Sequence, residues 1–181
     1  MRIPLQFSPL GMTEAELNKL TSLGLKYDKR QKKEMLAARD ATPPQEHEIK
    51  TFEEAIGYSL PNCYREFLIR HNGGVPSRSQ VDVDGQGERV VRNLYSLVSP
   101  ARSYTIRHLL EIYEKRIPAD MLPVADDPAG NLFLLELSQG ETYGKVYFWD
   151  HEQEAETESQ PYFDNLSFVA ESFASFLDRL R

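Results

Sequence analysis

The sequence predicts an α+β fold with a central antiparallel β-sheet flanked by helices. Helical patterns dominate the first part of the chain, and strand patterns gather later, interrupted by one helix and closed by another. The regular strand–helix alternation of a parallel doubly wound sheet is missing. Two nearly continuous apolar runs, Asn131 to Leu137 and Tyr143 to Trp149, lie on either side of a short polar stretch containing Gln139-Gly140-Glu141-Thr142. Runs of that kind are strands covered on both faces, and the short connection makes them an antiparallel hairpin.

Each element has a local reason. Residues 1–12 read as an irregular lead-in. Thr13-Glu14-Ala15-Glu16 is a capping box ahead of Leu17 and Leu20, so a helix starts there and Gly24 stops it. Lys26 to Asp40 is rich in Lys and Arg and holds a second helix carrying Met35 and Leu36. Thr42-Pro43-Pro44 then breaks the chain. Residues 1–45 are thus an N-terminal helical extension and residues 46–181 the main domain.

From His47 the pattern tightens. Ile49, Phe52 and Ile56 recur at helical spacing and Gly57 ends that helix. Leu60-Pro61 opens another helix with Tyr64, Phe67 and Leu68 on its apolar stripe, and Asn72-Gly73-Gly74 stops it. Residues 75–90, polar and containing glycine, read as a loop, and Val90 to Val98 as a strand. Ser103 is positioned to cap a helix with the face Ile106, Leu109, Leu110 and Tyr113, ended by Ile117-Pro118. Asp150 to Glu158 is an acidic loop. The closing segment reads as an amphipathic helix with Val169, Phe173, Phe176, Leu177 and Leu180 on one face.

The 181 residues suffice for one substantial core. Nine Phe, nine Tyr and one Trp argue against disorder. Acidic residues outnumber basic ones 28 to 21, for a net charge of −7. That balance predicts no default affinity for nucleic acid or anionic membrane and suits a basic partner. The lone Cys63 excludes an intrachain disulfide and fits a reducing compartment. Pro4, Gln6 and Pro9 interrupt the apolar run that a signal peptide needs, and no apolar stretch has membrane-spanning length. The expected location is the cytoplasm.

Catalytic constellations are sparse. Cys63 sits in the Tyr64/Phe67/Leu68 helix, eight residues and two turns from His71, too far for a dyad on one helix. His47, His71, His108 and His151 show no metal-ligand spacing, and neither phosphate-binding glycine motif occurs. Asp82-Val83-Asp84-Gly85 resembles a calcium loop superficially, but its glycine arrives too early, and a solvated turn is the simpler reading. Asp40 with Glu48-Ile49-Lys50 faintly echoes a nuclease set on the wrong kind of element. Asp126-Asp127 is the remaining pair, either acids for a metal-dependent hydrolase or, beside Pro128 and Gly130, the makings of a tight turn. No cofactor is expected.

Read together, these segments resemble the SUKH superfamily of Smi/Knr type. The residues that carry the resemblance are Phe52-Glu53-Glu54-Ala55-Ile56-Gly57-Tyr58-Ser59-Leu60-Pro61, Tyr64-Arg65-Glu66-Phe67-Leu68 and Asn72-Gly73-Gly74. Ile117-Pro118, Asp126-Asp127, Gly130-Asn131, Leu135-Glu136-Leu137, Gly144 to Glu152 and Ser172 to Leu177 match in the same order. The match covers roughly residues 47–181, and Pro76 to Arg89 is an insert-like departure from it. The resemblance implies the α+β fold already inferred and a non-catalytic, protein-binding role. In bacteria that role is immunity against a polymorphic toxin. In a eukaryotic relative it is regulation of the cell wall, which leaves a regulatory scaffold as the alternative.

An immunity role suggests an acidic face meeting a basic toxin domain, such as a nuclease built to attract phosphate. The candidates are Asp126 and Asp127 in the turn, and Asp150, Glu152, Glu154, Glu156 and Glu158 in the acidic loop. Tyr147 and Trp149 would add an aromatic anchor wherever their strand face is exposed.

Overall fold

The computed structural model describes residues 4–154 and 163–181. A short strand β1 (Phe7–Ser8) is followed by helix α1 (Glu14–Ser22) and helix α2 (Lys29–Ala37). Both helices begin with complete capping boxes, Thr13 with Glu16 and Asp28 with Gln31. Helix α3 (Glu46–Ile56) ends at Gly57 in the left-handed conformation. Helix α4 (Asn62–His71) ends at Asn72, also left-handed, with φ of 50°. Asparagine tolerates that region better than most residues because its short amide bonds locally.

Beyond α4 the chain forms β2 (Val75–Pro76), β3 (Gln80–Val83), β4 (Gly87–Val90) and β5 (Asn93–Leu94). Helix α5 (Ile106–Ile112) precedes β6 (Met121–Asp126), β7 (Leu132–Glu136), β8 (Val146–Trp149) and β9 (Leu166–Ala170), and α6 (Phe173–Arg179) completes the fold. β5 to β9 form a five-stranded sheet in sequence order, antiparallel at every step. The expected β7–β8 hairpin is present, and every residue of β7 is buried. Alternate residues of the sheet serve two faces. Leu122, Val124, Phe133, Leu135, Val146 and Phe148 join the main core with Phe52, Tyr64 and Phe67. Met121, Leu132, Leu134 and Trp149 enter a second cluster beneath Ile117 and Tyr113.

The stretch expected to be a loop is a hairpin. β3 pairs with β4 from Gln80↔Val90 to Val83↔Gly87, and Gly85 and Gly87 take positive φ in the turn. Val81 and Val83 point into the main core while Gln80 and Asp82 face out. Arg181 staples the hairpin, exchanging both backbone hydrogen bonds with Gln80 and holding Asp82 in a bidentate pair at 2.6 and 2.9 Å.

Three other expectations shift. Of Val90 to Val98, only Asn93–Leu94 pairs with β6. Thr105, not Ser103, caps α5, because Ser103 is engaged by Glu34 through its amide and hydroxyl. Val169 belongs to β9, and the closing helix starts after its cap Ser172.

The extension packs on the rest of the chain. Leu10 and Ala38 bury against Ala101, and β1 pairs with β2. The buried Asn72 amide donates to Thr42 O and Val98 O, both at 2.6 Å, and accepts from Leu97 N at 2.8 Å.

Candidate partner-binding surface

The register places most of the proposed contact residues at one end of the main sheet. Asp126 ends β6 opposite Leu132, Leu132 pairs with Trp149, and Trp149 pairs with Leu166. The turn Asp127–Asn131 and the turn that follows Asp150 both emerge there.

Asp126 is buried and fully engaged. Its carboxylate accepts from Tyr95 Oη at 2.8 Å, Asn93 N at 3.1 Å and Asn93 Nδ2 at 3.2 Å, and pairs with Arg92. Burial, followed by the Asp126 charge, pushes the Tyr95 phenol above its ordinary range. Asp127 is also buried. Its oxygens accept from Ala129 N at 2.9 Å, Asn131 N at 2.8 Å and Asn131 Nδ2 at 2.8 Å, closing a turn in which Gly130 adopts φ of 94°. Asn131 Oδ1 in turn meets His151 Nδ1 at 2.7 Å and the His151 amide at 3.1 Å. Asp127, Asn131 and His151 therefore lock the two turns together.

These two aspartates are corrected from contact residues to scaffold. Buried carboxylates are held by internal donors because an unpaired one is costly. The same internal donors occupy oxygens of both carboxylates.

Trp149 is corrected likewise. It is 1% exposed, with Tyr113 edge-on at 5.5 Å. Arg116 covers both rings, 4.7 Å from Tyr113 and 5.8 Å from Trp149. Arg116 also clasps Glu154 through two bonds of 2.7 and 2.8 Å. Glu154 is thus neutralised by an ion pair and buttresses an internal aromatic stack. The Trp149 indole seals the second core instead of reaching outward.

What remains for a partner is smaller. Glu152 is exposed, and Asp150, Tyr147 and the ion-paired Glu154 are partly exposed. Asp150 also caps its own turn, accepting from Glu152 N at 3.0 Å and Gln153 Nε2 at 3.1 Å. Tyr147 packs edge-on against Phe168 at 6.1 Å, and partial burial raises its phenol pKa. Glu156 and Glu158 lie outside the described residues.

No local signal marks Arg92, Tyr95 or Arg116, which arrive from 31 to 38 positions away. Asn131 had a signal in hindsight, since Asp-Asp-Pro-Ala-Gly-Asn is rich in turn residues. A groove of about 560 Å³ between α3 and α5 was also unforeseen. Leu97 and Val98 line it together with His47, Thr51, Arg107 and His108. The Arg107 guanidinium lies 5.0 Å from the Phe52 ring centroid, covering it.

Residues 43–179 match the model of the SMI1/KNR4 family (SUKH-1). Among curated proteins, the SPbeta prophage-derived uncharacterized protein YokK of Bacillus subtilis (strain 168) is 25% identical over 148 residues, covering 72% of this chain and 71% of that protein. The matched span contains α3 through α6 and every strand of the main sheet. On that match and this architecture, the chain belongs to the SMI1/KNR4 (SUKH-1) family.

Proposed function

We propose that the chain is a non-catalytic immunity protein that binds and neutralises a cognate polymorphic toxin with a basic toxic domain. The observation that carries this reading is the family match across residues 43–179, for a family whose bacterial members are associated with toxin immunity. Two features support it. The net charge of −7 favours encounter with a basic surface. The similar protein of B. subtilis is prophage-derived, which fits a bacterial setting. The contact surface we assign comprises the exposed Glu152 and the partly exposed Asp150 and Tyr147. Asp126, Asp127 and Trp149 support that surface from within, and the partly exposed Glu154 is held by Arg116.

The test is co-expression with the toxic domain encoded beside this gene. Growth should be restored, and the two chains should purify as a stoichiometric complex. Continued toxicity despite soluble expression overturns the reading. A stable complex without protection would point to the regulatory scaffold.

A further inference from the structure

Local charge departs sharply from the overall balance in the N-terminal extension. Between Lys26 and Lys33 the chain carries Lys26, Lys29, Arg30, Lys32 and Lys33 against one acid, Asp28. Asp28 is engaged as the cap of α2, accepting from Gln31 N at 2.8 Å. Glu34, the next acid, accepts two bonds from Ser103. Lys26, Lys29, Arg30 and Lys33 are exposed, and none forms an ion pair among the described residues.

Directly before these cations, the turn between α1 and α2 presents two leucines to solvent. Leu23 is 71% exposed and Leu25 is 48% exposed. The ridge sits on a fixed platform. Met12 N bonds Met35 O at 3.0 Å, and Leu10 and Ala38 bury against Ala101. It also lies outside the family-matched residues, so it is an addition to the shared fold.

We infer that the Leu23–Lys33 ridge is a peripheral docking surface for an anionic lipid bilayer. Charge complementarity selects an anionic partner, and the leucines decide among anionic partners. A nucleic-acid backbone rewards the cations but gives two adjacent leucines nothing to bury into. A bilayer surface rewards both, taking apolar side chains at the headgroup boundary while the cations meet lipid phosphates. The expectation of no default affinity for anionic membrane followed from the net charge of the whole chain, and the ridge is a local departure from that balance. It is independent of the immunity reading.

The experiment is co-sedimentation of the full chain with phosphatidylglycerol-containing vesicles and, separately, with phosphatidylcholine vesicles. Binding should occur with the anionic vesicles only and weaken as salt is raised. Each cation removed should weaken it about fivefold, so Lys29→Gln/Lys33→Gln should lose about 25-fold. Leu23→Ser/Leu25→Ser should also weaken binding at least tenfold in low salt. Both double variants alter exposed side chains only, and unchanged thermal midpoints would verify that the fold is kept. No sedimentation with anionic vesicles overturns the proposal. So does binding that survives Leu23→Ser/Leu25→Ser undiminished, or tighter binding to duplex DNA than to the vesicles.

Discussion

The Tyr95 hydroxyl donates to the Asp126 carboxylate at 2.8 Å inside the protein, joining the segment after β5 to the end of β6. Tyr95→Phe should cost about 1–2 kcal/mol in urea unfolding, the value of one hydrogen bond to a charged acceptor. Asp126→Ala should cost about 2–4 kcal/mol, because Tyr95 Oη and the Asn93 amide lose their acceptor while half-exposed Arg92 is re-solvated. The phenol of Tyr95 ionises at higher pH in the folded state than in the unfolded chain. Its contribution is therefore complete below the ordinary tyrosine value of about 10 and is lost as pH rises beyond it. Thermal midpoints measured across alkaline pH should fall less steeply in Tyr95→Phe than in the wild type.

Tyr64 presents the opposite case. Its ring is fully buried between Phe67 and Phe173, yet its hydroxyl has no hydrogen-bond partner among the described residues. Tyr64→Phe should therefore keep the packing and remove an unsatisfied group, raising stability by about 1 kcal/mol at neutral pH. Denaturant midpoints would register the gain, and a loss of more than 1 kcal/mol would contradict the unpaired hydroxyl.

Asn72 combines a left-handed backbone with four side-chain bonds. Asn72→Ala should cost about 3 kcal/mol, since it strands buried backbone groups and adds strain. Asn72→Gly relieves the strain and keeps the loss of bonds. A glycine variant as stable as the wild type would mean the bonds contribute nothing.

Scaffold and contact residues should separate in a binding assay. Glu152→Lys should leave the thermal midpoint unchanged and slow association with a basic toxin domain severalfold, most strongly at low salt. Asp127→Ala should lower the midpoint, because the Ala129 and Asn131 amides lose their acceptor. The association rate of its remaining folded fraction should change less than that of Glu152→Lys.

Elements announced by local chemistry were legible in the sequence. Thr13 with Glu16, Gly57, the Asn72 stop and the β7–β8 hairpin all follow from capping residues, glycine or continuous apolar runs. The β3–β4 hairpin was masked by its two glycines, although Gln80-Val81-Asp82-Val83 alternates as a half-buried strand should. The candidate site was least legible. Acidic residues in a row suggest a charged face, but whether each carboxylate reaches solvent depends on partners brought by the fold. Asp126 is claimed by Arg92 and Tyr95, and Glu154 by Arg116, and no spacing rule foretells either.

The bond from Asn72 Nδ2 to Thr42 O has a practical consequence for anyone preparing a shortened protein. A cut at the family boundary, just before residue 43, runs through a joint rather than a hinge. The fragment that remains would carry a buried amide stripped of one acceptor, a bare Ala101 surface and an unpaired β2 edge. Trimming to the recognisable domain should therefore yield a chain that melts earlier and aggregates more readily than the one that retains its first forty-odd residues.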